Sequence, residues 1–181
     1  MNVVVLTRPG AHHRHVVYWS AVLVAATVGL LAVRTCRGLV AVTIIVWAVT
    51  VTVAAVVDMR SGLLLNILVI PGIAIVFGLA LFAHTLGGAL LGGLLLGLPM
   101  LFIHLLRPDG LGFGDVKFGL LLGAGIGVLA VPLVLPAYLL AAIVHSGVCI
   151  AVRAHGRLVP FGPALAAASI VTVLAKLLGR L

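Results

Sequence analysis

Apolar residues run along this chain in long unbroken stretches, separated by short clusters of charge, glycine and proline. Seven such stretches cover 16 to 33, 38 to 57, 67 to 83, 86 to 106, 116 to 131, 132 to 152 and 161 to 178. About 20 helical residues cross the ~30 Å hydrocarbon layer of a bilayer. The stretches are continuously apolar and lack the alternation of barrel strands, so each is expected to be a helix. The fifth and sixth abut, and only the turn signals Pro132 and Pro136 separate them. The pattern therefore predicts an all-α, polytopic transmembrane bundle of about seven spans, joined by short loops and without a soluble module.

Composition agrees. Hydrophobic residues make up 64% of the 181 positions, charged residues 8%, and the mean hydropathy is +1.42, which excludes a water-soluble domain. The first stretch follows Arg8 and Arg14 as in a secretory signal, but it is longer than a signal core and lacks a small-x-small cleavage site, so an uncleaved span is expected. His12, His13 and His15 beside Arg14 read as a solvated basic flank rather than metal ligands. Of the 11 Lys and Arg residues, seven fall on the amino-terminal side of a seven-span chain (Arg8, Arg14, Arg60, Arg107, Lys117, Arg153, Arg157) and four opposite (Arg34, Arg37, Lys176, Arg180). By the positive-inside rule the amino terminus is cytoplasmic. The net charge of +8 is then an orientation signal with some attraction to anionic membrane lipid, and a nucleic-acid role has no domain to occupy. Cys36 and Cys149 fall at different depths and are not expected to bridge.

The three acidic residues, Asp58, Asp109 and Asp115, carry the candidate chemistry. A carboxylate at a bilayer is costly and tends to mark function. Asp58 ends the second stretch, and the third and fourth carry the chain out and back. Asp58 and Asp115, 57 positions apart, therefore share the cytoplasmic side. Two carboxylates brought close there share one proton. The ionised member then takes a proton from water while the protonated member polarises a scissile carbonyl, with no metal or cofactor required. Gly112 and Gly114 permit positive φ and leave room for a substrate backbone beside Asp115. Lys117 can offset charge or bind a headgroup phosphate. Asp109, within Arg107-Pro108-Asp109-Gly110, has plain turn composition. His104 reads as an interfacial side chain rather than a metal ligand.

The run Gly112-Phe113-Gly114-Asp115-Val116-Lys117 resembles the GxGD motif of the type IV prepilin peptidase family. Asp58, Arg60 and Asn66 resemble that family's first aspartate segment, and Pro160-Phe161-Gly162-Pro163 resembles its Pro-Phe-Gly-Pro element. The likeness covers roughly residues 38 to 178. It implies a six-span peptidase core over 38–181, preceded by a tail and an additional span over 1–37. It implies catalytic roles for Asp58 and Asp115, supported by Gly112, Gly114, Lys117, Arg60, Asn66, Pro160, Phe161 and Gly162. The implied activity is aspartic endopeptidase cleavage of the basic leader of prepilin-like precursors at the cytoplasmic face of a bacterial inner membrane. The chain is similar to the short, peptidase-only members associated with tight-adherence (Flp-type) pili, which implies cleavage without N-methylation.

Two departures stand out. Leu65 replaces a proline common before the asparagine, and Phe113 fills a position usually small or varied. The glycines at four-residue spacing (Gly88 with Gly92, Gly93 with Gly97, Gly119 with Gly123 and Gly127) are expected to form close-packing faces. Those faces are also the expected lateral dock for a substrate helix, and they leave the Asp115 helix free to shift toward Asp58. Two alternatives follow from the same residues. One is a small transporter or proton-handling protein, which needs polar groups deep within several spans. The other is a presenilin-type intramembrane protease, which shares GxGD and matches Pro163-Ala164-Leu165, but Val57 stands where its Tyr-Asp signature has tyrosine.

Overall fold

A computed structural model of the chain describes residues 11–36, 38–61, 66–107, 111–153 and 161–180. Among these the protein is all helical. Its elements are α1 (Ala11–Thr35), α2 (Leu39–Ser61), α3 (Asn66–Phe82), α4 (Leu86–Leu106), α5 (Phe113–Ala130), a 3-10 turn (Val131–Leu133), α6 (Val134–Arg153) and α7 (Gly162–Leu177). Each helix coincides with one apolar stretch. By length and composition, four segments are able to cross a membrane: Val17–Thr35, Leu39–Arg60, Leu86–Leu106 and the 38-residue Phe113–Ile150, which takes in α5 and α6. Asn66–Phe82 and Gly162–Leu177 are shorter apolar helices. Large apolar side chains such as Ile67, Phe82, Ile143 and Ile150 face outward. This is the surface of a membrane protein, since water would penalise so much exposed hydrocarbon.

Several boundaries differ from the apolar pattern. α1 begins at Ala11, so His12, His13 and His15 lie on a helix. α2 continues past Asp58 to Ser61, because nothing in Asp58-Met59-Arg60 breaks a helix once it has formed. α5 starts three residues earlier than its apolar stretch, so Asp115 belongs to a first helical turn and not to the preceding loop. Hydropathy marks where a chain enters hydrocarbon, whereas hydrogen bonding decides where a helix starts. Between α5 and α6, Ala130 turns to extended backbone (φ −168°, ψ 111°) and the Pro132 turn follows, so the break expected there is present.

α5 is the centre of the bundle and packs against α2, α3, α4 and α7. From Val116 to Val128 every residue except Lys117 and Leu120 is buried. Its closest neighbour is α4. A Cβ on Gly92 would strike the Gly123 carbonyl, one on Gly123 the Gly92 carbonyl, and one on Gly127 the Gly88 carbonyl. Lipid tails are as apolar as leucine, so helices associate in a bilayer through such close packing rather than through hydrophobic exclusion. These glycines are spent on α4–α5 contact. They offer no open face for a substrate helix, and the lateral dock expected there is withdrawn.

A second socket holds α5 against α2. Trp47 is fully buried. Its indole N–H donates to the Leu121 carbonyl (3.0 Å), and Gly125 leaves the space its ring fills, since a Cβ there would overlap the indole. Gly125 is two residues from both Gly123 and Gly127 and so lies across the helix from the α4 seam. Backbone packing on one side and the indole hydrogen bond on the other thus fasten α5 to both α4 and α2.

Candidate functional site

The last two turns of α2 and the first turn of α5 meet at one end of the bundle. Asp58 lies one turn before the end of α2 and is buried, with 4% of its surface exposed. Its Oδ2 accepts no hydrogen bond from any described residue. Asp115, half-buried in the first turn of α5, lies close enough for its charge to act on Asp58. A desolvated carboxylate oxygen without a donor is costly. Water, a shared proton or a substrate group are the means of satisfying it. The expectation that Asp58 and Asp115 share one end of the bundle is matched by this geometry.

Local chemistry sets Asp115 in place. Gly112 caps α5 with extended backbone (φ −68°, ψ 146°), and its carbonyl accepts the Asp115 N–H at 3.0 Å. The positive φ expected of Gly112 is therefore not used, and Gly114 is helical. The missing side chain matters instead, because a Cβ on Gly112 would stand 3.5 Å from Asp115 Oδ2 and cover that face of the carboxyl. The loop before α5 is held by His104, whose Nδ1 is 2.7 Å from the Leu111 carbonyl oxygen. Phe113 packs beside the His104 ring, 5.5 Å between centroids, with Lys117 Nζ 4.7 Å from its own centroid. The sequence reading passed over His104 in this role. Its separation of seven residues from Leu111, with Pro-Asp-Gly between them in the sequence, was the available signal.

Lys117 reaches across to the start of α3 and donates to Asn66 Oδ1 at 3.0 Å. Two expected support residues thus tie α5 to α3 at the aspartate end. The bond is exposed, so Lys117→Met or Asn66→Ala is expected to lower stability by about 1 kcal/mol or less. Thermal unfolding in detergent checks this, and the two changes together should cost little more than either alone.

The other expected support residues separate. Arg60 follows Asp58 by two residues and so faces the opposite side of α2. Its guanidinium carbon stacks 3.8 Å from the Tyr18 ring centroid on α1. Phe161 precedes α7 and packs edge-on against His145 of α6, 4.7 Å between centroids, while Gly162 is buried at the first position of α7. α7 itself packs against both α2 and α5. Pro160, Leu65 and Asp109 lie outside the described residues.

The remaining buried polar groups among the described residues are Thr43, Thr52, Ser169 and Thr172. Each of the three threonines donates to the carbonyl four residues earlier in its own helix, which satisfies a hydroxyl inside hydrocarbon. Asp58 is thus the one buried ionisable side chain among the described residues. Comparisons with protein-family models, with curated proteins and with solved structures give no match to this chain.

Proposed function

We propose that this protein is a membrane aspartic endopeptidase that removes the basic leader of prepilin-like precursors. The observation that carries this reading is the buried carboxyl of Asp58, whose Oδ2 has no hydrogen-bond partner among the described residues, within electrostatic reach of Asp115 at one end of an apolar bundle. In the proposed reaction the two groups hold one water. The ionised aspartate takes its proton as oxygen attacks the scissile carbonyl, and the protonated aspartate donates to the carbonyl oxygen. Collapse of the tetrahedral intermediate breaks the C–N bond, and the proton passes to the departing amine.

The reading extends to topology. A continuous helix over Phe113–Ile150 would be roughly 57 Å long, far more than one crossing requires. The break at Val131–Leu133 favours two crossings there and seven in all. With the amino terminus cytoplasmic, both aspartates face the cytoplasm of a bacterial inner membrane, where the leader of a single-span precursor lies. The transporter reading has less support: the buried threonines bond within their own helices and form no chain of polar groups among the described residues.

Incubating the purified protein in lipid with a prepilin-type precursor tests the proposal. The expected result is a shortened product whose new amino terminus lies at the leader boundary. Intact precursor in the presence of folded protein, across a panel of such precursors, would remove it.

A further inference from the structure

Outside the aspartate site, a concavity runs between α1 and α2 on the face of α2 turned away from α5. It is a groove of about 760 Å³, lined almost wholly by apolar side chains such as Ala25 and Gly29 from α1 and Val49 and Val53 from α2. Its polar end is Arg60, covered by Tyr18. Arg60 Nη2 is buried and makes no hydrogen bond among the described residues. Asp58 is no partner for it, because residues two apart on a helix point to opposite sides.

We propose that this groove holds an acyl chain of an anionic phospholipid, whose phosphate binds Arg60. Charge complementarity selects the ligand. An apolar trough ending in a guanidinium matches a molecule with a long hydrocarbon tail and one anionic head, and guanidinium is suited to bind phosphate oxygens in pairs. Depth agrees as well. Tyr18 and Trp19 are exposed beside the Arg60 end of the groove, and aromatic side chains of this kind sit at headgroup level. Arg60 lines the groove and is half-buried as a residue, so its guanidinium is open to a phosphate at the headgroup end. The site is independent of the peptidase reading, because it uses the opposite face of α2.

The test is native mass spectrometry of the full chain released from nanodiscs of phosphatidylcholine mixed with phosphatidylglycerol. One phosphatidylglycerol per chain is expected to be retained, in preference to phosphatidylcholine by about tenfold, the factor that one charge-assisted hydrogen bond supplies. Arg60→Gln should abolish the preference. Gly29→Phe and, from the α2 side, Val53→Phe should each fill the groove and lose the retained lipid, with unchanged circular dichroism showing that the variant is folded. Inorganic phosphate, which has no chain, should not compete. Equal retention of the two lipids by the unaltered protein, or full retention by Arg60→Gln and by whichever groove-filling variant folds, would overturn the proposal. So would competition by inorganic phosphate, or a dimer lost on filling the groove, which would make a second copy the occupant.

Discussion

Asp58→Asn and Asp115→Asn are each expected to abolish precursor cleavage, lowering the rate by roughly 10³-fold or more, within the range attributed to a general acid or base. Asparagine keeps the shape of the side chain but neither takes nor gives the proton that the water and carbonyl exchange. The protein should still insert and fold. Asp58 Oδ2 has no hydrogen-bond donor among the described residues, so replacement removes a desolvated charge without breaking a bond to a described residue. Groups that act as a unit are grossly non-additive, and the double variant should therefore be no slower than either single one. Asp109→Asn should cleave normally. The unaltered protein should show a bell-shaped pH profile whose two limbs belong to the pair rather than to either residue. Cleavage assays on membrane-extracted protein, with expression level as control, check each point; full processing by either Asp58→Asn or Asp115→Asn would remove the mechanism.

The other large effect is structural. Gly123→Ala is expected to destabilise the bundle by about 3 kcal/mol, the upper end of typical overpacking costs. The new methyl would meet the Gly92 carbonyl and also stand 3.0 Å from Leu96 Cβ. Backbone on both sides cannot rotate away as a flexible side chain would, so α4 and α5 must separate along the whole seam. Gly78→Ala on α3 is the matched control, because a Cβ there meets nothing within 4 Å. That change should be neutral or slightly stabilising, as glycine replacement in a compatible helix usually is. Thermal unfolding of the two variants in one detergent measures the contrast. Because Asp115 sits at the end of the same helix, Gly123→Ala should also slow cleavage, whereas Gly78→Ala should not.

Much of this was legible beforehand. Apolar runs in lipid have few choices other than helix, so the seven apolar stretches coincide with the α-helices of the described residues. The order of the stretches led to the expectation that Asp58 and Asp115 meet at one end, which they do. The glycine ladder on α4 and α5 was recognisable from its four-residue spacing, though its saturation by mutual contact was not. Spacing shows that a face is small but not whether a neighbour already occupies it. Gly125 stands off the ladder, and only the three-dimensional arrangement shows that it makes room for Trp47 from a helix more than 70 residues earlier. Arg60 was grouped with Asp58 because the resemblance places them in one segment, two positions apart. On a helix that spacing separates them, one facing α5 and the other α1.

The pairing on which the chemistry depends has a direct test in a chain whose Cys36 and Cys149 are replaced by serine and whose Asp58 and Asp115 are replaced by cysteine. Mild oxidation, or a short bis-thiol reagent, should join the two cysteines within a single chain in native membranes. Cysteines at Asp58 and Gly87, which lies at the start of α4 two helices away, should stay apart. A chain that stays unlinked at 58 and 115 while both thiols react with a small maleimide would contradict a shared site.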